Sequence, residues 1–159
     1  MLLSGIILDT NYYHKKADST TFYISYYLTE CGGIVKDVNE LLKNDIKDYI
    51  KRQKIIATVK VLNHVAIGKG SQRSAYKKEE IAKTADSLLT FNNIKASFVV
   101  AKENKELIRI SARSTGEINV GKILEHFGGG GNEYEGAAKI EDSNINKIMD
   151  ELYEIIESL

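Results

Sequence analysis

The sequence predicts an α/β fold, with a small mixed β-sheet and flanking helices. Two observations predict it. Runs in which apolar and polar residues alternate are interleaved with segments in which apolar residues recur at helical spacing, in the order β, α, α, β, β, α, β, β, α, β, α. The chain has 159 residues, 43% of them hydrophobic, which is enough to bury one core and to carry a fragment of a second domain.

The first 57 residues predict one strand and two helices. The opening run LLSGIILDT is short and continuously apolar, which predicts a buried terminal strand. The segment ADSTTFYISYYLTECGG predicts a helix with Asp18 or Ser19 as N-cap, Gly32 as C-terminal stop and Cys31 buried on its apolar face. A second helix is predicted from Asp37 to about Ala57, because its pattern repeats at helical spacing through Val38, Leu41, Leu42, Tyr49, Ile50, Gln53 and Ile56.

From residue 58 onward the pattern is more regular. TVKVLN and HVAIGKG predict a β-hairpin that turns near Asn63, and KASFVVAKE and ELIRISARS predict two further strands that turn at Asn104. The helix between these two pairs carries Ile81, Ala85, Leu88 and Leu89. A short helix NVGKILEHF, a last strand GAAKIE and an amphipathic closing helix follow, the last with apolar residues at Ile145, Ile148, Met149, Leu152, Ile155, Ile156 and Leu159.

Composition limits the classes of partner and the compartment. Lysine and arginine together number 22, as do aspartate and glutamate, so no global field attracts duplex DNA and an anionic ligand needs a local site. The single Cys31 cannot form an internal disulfide, which indicates a reduced thiol. The first apolar run is interrupted at Asp9 and has no basic flank, which argues against a signal peptide or a membrane span. We therefore expect a cytoplasmic chain.

The candidate ligand site combines an arginine with a glycine run. Alternation along ELIRISARS places Leu107, Arg109, Ser111 and Arg113 on the face opposite the core residues Ile108, Ile110 and Ala112. Fourteen residues after Arg113 the sequence FGGGGN begins, and consecutive glycine amides can form a concave anion site. A glycine run alone also fits a flexible helix end, and a single arginine fits a surface charge. Together they predict one phosphate site, with the Gly128–Gly131 amides and Arg113 converging and Asn132 at its rim.

Other polar residues carry weaker signals. His14, His64 and His126 have no metal-ligand spacing and are expected to be structural or exposed, although His126 is close enough to the glycines to supply an imidazole. Asp86 could orient Arg113 or remain a solvated carboxylate. Tyr134 is a candidate for stacking on a base.

The motifs GIILDT, ADSLL, ASFVVA, SARSTGEINV and GGGGN…GAA, in this order, resemble the C-terminal part of the DHH phosphoesterase superfamily, and in particular its cyclic di-AMP phosphodiesterase (GdpP-type) branch. The resemblance implies that residues 1–35 are the tail of a DHH catalytic domain and residues 36–159 a DHH-associated substrate-binding domain. It implies manganese-dependent hydrolysis of cyclic di-AMP to the linear dinucleotide in the intact enzyme, with Asp9 as one metal ligand. The substrate-binding residues that it implies are Arg113, Ser114, Gly128, Gly129, Gly130, Gly131 and Asn132.

Two departures from the family pattern qualify these expectations. The Asp-His-His and Asp-x-Asp motifs are absent, so we expect this chain alone to hold no manganese and to be inactive without a DHH catalytic domain, in a parent that could be membrane-anchored. Asn132 stands where the family usually has histidine. Cyclic dinucleotides and short oligonucleotides are the expected ligands, and a homodimer stays open. The alternatives are part of an exonuclease or oligoribonuclease-phosphatase, or a non-catalytic nucleotide-binding module.

Overall fold

The computed structural model describes residues 2–10, 12–13, 16–33, 45–142 and 144–159. The chain divides into two units, Met1–Asp45 and Ile46–Leu159. The domain boundary predicted between residues 35 and 36 lies in the stretch 34–44, outside the described residues, and stays a prediction.

The first unit contains two described helices, α1 (Leu2–Asp9) and α2 (Ser19–Glu30). The predicted terminal strand is therefore wrong, because this apolar run is helical. Leu3 and Ile7, one helical turn apart, are the residues that α1 buries, and they pack with Tyr13 and Leu28. The described part of this unit contains no strand with which an extended segment could pair.

Helix α2 begins as predicted, but it buries a different face. Asp18 is its N-cap, with the carboxylate accepting from the backbone N–H of Thr21, and this bond holds the pKa of Asp18 below its ordinary value. The prediction of a buried Cys31 is wrong, since this thiol is exposed at the helix end. Ser25 is the buried residue of α2. Tyr23, Tyr26 and Tyr27 are each at least 60% exposed, so these aromatic side chains do not face the core.

The second unit is a six-stranded sheet with four described helices, and it confirms the predicted α/β class. Its elements are α3 (Ile46–Ile56), β1 (Lys60–Leu62), β2 (Val65–Lys69), α4 (Lys78–Leu88), β3 (Ala96–Lys102), β4 (Leu107–Ser114), α5 (Val120–Glu125), β5 (Gly130–Gly131), β6 (Glu135–Glu141) and α6 (Ile145–Glu157). The strands lie in the order β1-β2-β3-β4-β6-β5, and the pairing is antiparallel except between β2 and β3.

Two apolar layers cover the two faces of this sheet. One layer packs the sheet against α5 and α6, with Phe98, Ile110 and Leu152 fully buried. The other packs it against α3 and α4, through Ile55, Ile81 and other buried residues. The alternation predicted for β4 is confirmed: Ile108, Ile110 and Ala112 lie in the first layer, which leaves Arg109, Ser111 and Arg113 for the α4 side.

Helix α3 is described from Ile46 onward, and the predicted start of this helix at Asp37 lies outside the described residues. Its buried residue is Ile55, whereas Tyr49 and Ile50, expected on the core face, are 49% and 47% exposed. The core side is shared with Lys51, whose ammonium lies over the Tyr76 ring and 3.9 Å from a carboxylate oxygen of Glu80. Lys51 and Ile55, four residues apart, therefore lie on the side of α3 that faces α4.

Candidate functional site

Some of the predicted site residues line a groove between α4, β4 and the β5–β6 edge. This groove encloses about 400 Å³ and is lined by Lys78, Glu79, Ala82, Arg109, Ser111, Arg113, Gly131, Asn132, Glu135, Gly136 and Ala137. The structure therefore brings Arg113, Gly131 and Asn132 together, as the sequence predicts. Ser114, Gly128, Gly129 and Gly130 do not line the groove.

Arg113 is held in place from two directions. Its Nε donates to the Oδ1 of Asp86 at 3.0 Å, and its Nη1 donates to the carbonyl oxygen of Ala112 at 2.9 Å. The side chain of Arg113 is 19% exposed and that of Asp86 is 39% exposed. Asp86 therefore orients the guanidinium, which decides between the two roles that the sequence leaves open for this carboxylate. A guanidinium fixed through Nε keeps a planar edge for an anion.

The first two glycines of the run end helix α5. Gly128 has φ +68°, the left-handed conformation that closes many helices, and its N–H donates to the Glu125 carbonyl at 3.0 Å. The N–H of Gly129 donates to the Leu124 carbonyl at 2.9 Å. The predicted convergence of all four glycine amides on one phosphate is therefore not what the structure shows. These two amides satisfy carbonyls that the helix end leaves without partners.

The last two glycines form β5, a short edge strand that the sequence does not predict. Gly130 pairs with Ala137 and Gly131 pairs with Gly136 of β6. A Cβ atom at Gly129 or Gly131 would overlap a backbone carbonyl oxygen of β6, that of Ala137 or Glu135 respectively. A Cβ at Gly130 would meet nothing within 4 Å. The fold therefore requires glycine at positions 129 and 131, while position 130 has room for a side chain.

Asn132 closes the turn between β5 and β6. Its Oδ1 accepts from the backbone N–H of Tyr134 at 2.8 Å and of Glu135 at 2.9 Å. Two N–H donors on one side fix which amide atom is oxygen, so the Nδ2 group is the other end of the side chain. Asn132 lines the groove, and it can offer this donor to an anion there while the oxygen holds the turn.

The other candidates lie beside the groove or away from it. The buried Ser114 hydroxyl accepts from the Gly116 N–H at 3.0 Å, a turn contact. Tyr134 is 53% exposed and its ring lies on Gly116, where a Cβ would come within 2.8 Å of it. His126 is the exposed C-cap of α5, and the Nδ1 of His64 lies 3.1 Å from the Asn93 carbonyl oxygen. His14 falls outside the described residues.

Arg109, Ser111 and Lys78 are among the groove residues that the sequence did not assign to the site. Alternation along β4 already places Arg109 and Ser111 on the same face as Arg113, so that signal was present. Lys78 comes from α4, in which Lys78 and Ala82 are four residues apart and therefore on one side of the helix. Which strand this side would face is decided by tertiary packing.

A second, larger cavity does not suit an anion. It encloses about 600 Å³ at the end of β4 and β6 and is lined by Asn104, Glu106, Leu107, Glu141 and Asp142. Three carboxylates without a lysine or arginine in this lining would repel phosphate. Charge therefore favours the smaller groove.

Asp9, the predicted metal ligand, lies at the exposed C-terminal end of α1. Across the described residues, no three side chains of histidine, cysteine, aspartate or glutamate lie where they could hold a metal ion together. One carboxylate does not fit the manganese pair that the resemblance implies. None of the described helices is both long and apolar enough to cross a membrane.

Comparison with known proteins agrees with this fold. Residues 57–158 match the DHHA1 domain family. The chain is 37% identical over 156 residues to the cyclic-di-AMP phosphodiesterase GdpP of Geobacillus thermodenitrificans, covering 98% of this chain and 24% of that protein. It is 33% identical over 158 residues to the cyclic-di-AMP phosphodiesterase PdeA of Listeria monocytogenes, covering 99% and 24% respectively. The chain thus spans about a quarter of the length of these relatives.

Two solved structures share the fold. An exopolyphosphatase-related protein from Bacteroides fragilis superposes with a TM-score of 0.79 at 17% identity, over 96% of this chain and 48% of that one. The pGpG-specific phosphodiesterase PggH from Vibrio cholerae does so with a TM-score of 0.55 at 12% identity, over 99% and 55%. The chain belongs to the DHHA1 domain family and is homologous to the C-terminal part of GdpP-type cyclic-di-AMP phosphodiesterases.

Proposed function

We propose that this chain is the nucleotide-binding part of a DHH phosphodiesterase that hydrolyses cyclic di-AMP to the linear dinucleotide. The observation that carries the proposal is the Arg113–Asp86 pair, which fixes a guanidinium beside Gly131 and Asn132 in one groove. The relatives that cover nearly all of this chain are named as cyclic-di-AMP phosphodiesterases, which supports the choice of substrate.

Arg113 would hold a phosphate through its guanidinium, whose delocalised charge persists at any physiological pH. The Nδ2 group of Asn132 would add a neutral donor on the other side of the phosphate. Backbone at Gly131 and Gly136 lines the groove without side chains, which lets a ligand approach the edge of the sheet closely. Glu135, opposite Arg113 in the pairing of β4 with β6, would accept from a ribose hydroxyl rather than contact the phosphate.

Hydrolysis would require metal ligands in addition to those of this chain. The described residues do not form a manganese site by themselves, and Asp9 would contribute at most one carboxylate. We therefore assign to these residues the binding and orientation of the nucleotide, next to a DHH catalytic domain such as the longer relatives would provide. A cytoplasmic location fits the single unpaired cysteine.

Calorimetric titration of this chain with cyclic di-AMP and with the linear dinucleotide pApA tests the proposal. Because a hydrogen bond to a charged group contributes about 1.5 to 3 kcal/mol, Arg113→Ala should weaken binding about 10- to 100-fold. Arg113→Lys should recover only part of this loss, since a point charge replaces a fork. Arg73→Ala is the matched control, because Arg73 is exposed and does not line the groove. Equal affinity of Arg113→Ala and the unmodified chain would contradict the proposal.

A further inference from the structure

The groove has a second arginine that its proposed role with Arg113 does not use. Arg109 and Arg113 lie on the same face of β4, four residues apart, which separates their Cα atoms by about 13 Å. Both line the groove, and the Arg109 side chain is only 12% exposed. A largely buried arginine on a ligand groove differs from a surface charge, because desolvation strengthens its interaction with an anion.

Arg109 is anchored in the same way as Arg113. Its Nε donates to the Oε2 of Glu103 at 2.8 Å, as the Nε of Arg113 donates to Asp86. Among the described residues, Arg109 donates this side-chain hydrogen bond through its Nε and not through its two Nη groups. A carboxylate on Nε fixes the plane of the guanidinium, so the Nη edge forms a prepared donor pair.

The groove floor between the two arginines is made of small side chains. Ser111 lies between them on β4 and pairs with Ala137 of β6, and Ala82 comes from α4. No large side chain from this floor separates the two ends. A ligand that contacts Arg113 can therefore extend along β4 to Arg109.

The two ends of the groove differ in charge. Around Arg113 lie two carboxylates, those of Asp86 and Glu135. At the other end, Arg109 pairs across the strands with Lys139. The two adjacent strands β4 and β6 therefore place two cations at the Arg109 end of the groove.

The N-terminal end of α4 adds a third cation to the Arg109 end. Helix α4 starts near this end, since the N–H of Tyr76 donates to the Lys102 carbonyl of β3, and it reaches Arg113 through Asp86 in its last turn. Its Lys78, paired with Glu79 at 3.7 Å, therefore belongs to the Arg109 end. Lys78, Arg109 and Lys139 thus place three cations at this end, which also carries the carboxylates of Glu79, Glu103 and, two residues along β6 from Lys139, Glu141.

We infer that Arg109 forms a second phosphate-binding position, so that the groove selects nucleotides with two phosphates one nucleoside apart, such as a 5′-phosphorylated linear dinucleotide. This inference rests on the proposed function, because it takes Arg113 as the first phosphate position. It makes Arg109 a specificity-determining residue. A mononucleotide, or a dinucleoside with only its bridging phosphate, fills one position and leaves the other empty.

Three probes separate the two positions in calorimetric titrations: AMP, ApA and pApA. Only pApA carries both a bridging and a terminal phosphate. We expect Arg109→Gln to weaken pApA binding about 10-fold and AMP or ApA binding by much less, because a single phosphate can still bind at Arg113. Arg113→Ala should weaken all three. The preference for pApA over ApA should therefore disappear in Arg109→Gln and persist in Arg73→Gln, which removes the same charge outside the groove.

Glu103→Gln distinguishes ligand binding from a structural role of the Arg109–Glu103 pair. It breaks the ion pair but keeps the guanidinium, so we expect pApA affinity to hold or rise. An equal loss of affinity in Glu103→Gln and Arg109→Gln would show that the pair only supports the fold, and would overturn the inference. If Arg109→Gln binds pApA normally while Arg113→Ala does not, the second position is wrong and the proposed function stands. If neither substitution changes binding, both fail.

Discussion

Asn132 shows how one side chain can serve the fold and the groove together. Its oxygen accepts two backbone N–H groups of the β5–β6 turn, and its nitrogen end is a donor beside Arg113. Neutral imidazole has one acceptor nitrogen, so a histidine at position 132 could not reproduce both turn bonds and the donor with the same geometry. Asparagine therefore closes this turn more firmly than histidine would.

Substitutions of Asn132 can separate the two roles. Asn132→Asp keeps the acceptor oxygen but removes the donor and adds a negative charge, so the turn should stay closed while pApA affinity falls about 10-fold or more. Asn132→His should lower the free energy of unfolding by about 0.5 to 1.5 kcal/mol, because a turn amide loses its acceptor. Chemical denaturation measures the free energy of unfolding, and the backbone N–H chemical shifts of Tyr134 and Glu135 report whether the turn is closed. Calorimetric titration gives the pApA affinity. Turn shifts in Asn132→Asp as large as those in Asn132→His would contradict this division.

The glycines of the run Gly128–Gly131 are needed for different structural reasons. Gly128 closes α5 in the left-handed conformation, and Gly129 and Gly131 let the chain pass against the β6 backbone. A Cβ would meet open space at both Gly128 and Gly130, but Gly128 has a positive φ that other residues rarely adopt. The run therefore joins a helix end to an edge strand within four residues, and only Gly130 can vary without backbone strain or overlap with β6.

A matched pair of alanine substitutions tests this reading of the run. Gly129→Ala should lower the free energy of unfolding by about 1 to 3 kcal/mol, because its Cβ overlaps β6. Gly130→Ala should change it by less than about 0.5 kcal/mol, since the added methyl meets nothing. Urea unfolding followed by circular dichroism gives both values. Comparable destabilisation by the two substitutions would show that the path of β5 is wrong.

Elements with a strong local period were predictable from the sequence, and elements decided by distant partners were not. The stripe Ile81, Ala85 and Leu88 of α4 and the alternation of β4 appear as predicted, because each buries a repeating face. A short apolar run such as that of α1 fits either period. The exposed Cys31 shows that an apolar stripe need not face the core.

The candidate site was predictable to a similar extent. Arg113, Gly131 and Asn132 were expected together from their order in the chain, and they line one groove. The pairing of Arg113 with Asp86, 27 residues away, was one of two open possibilities, because only the packing of α4 on β4 decides it. The use of the Gly128 and Gly129 amides by α5 was missed, since helix-end hydrogen bonds compete with ligand binding for the same donors.

At the scale of the whole molecule, the groove belongs entirely to the unit Ile46–Leu159, in a chain whose formal charges cancel. Attraction of a nucleotide therefore depends on the local cations of β4 and α4, and added salt should screen the exposed part of it. The chain spans about a quarter of its curated relatives, so binding and hydrolysis are properties to be measured separately.

An NMR titration of the ¹⁵N-labelled chain with pApA, in the unmodified form and as Arg113→Ala, tests most directly whether the groove binds a nucleotide through Arg113. We expect the shifts to concentrate on the Arg113 Nε and on the backbone amides of Ser111, Gly131, Asn132 and Ala137, and to disappear largely in Arg113→Ala at the same ligand concentration. Shifts concentrated instead at the acidic cavity of Glu106 and Glu141, or equally large in Arg113→Ala, would contradict this expectation.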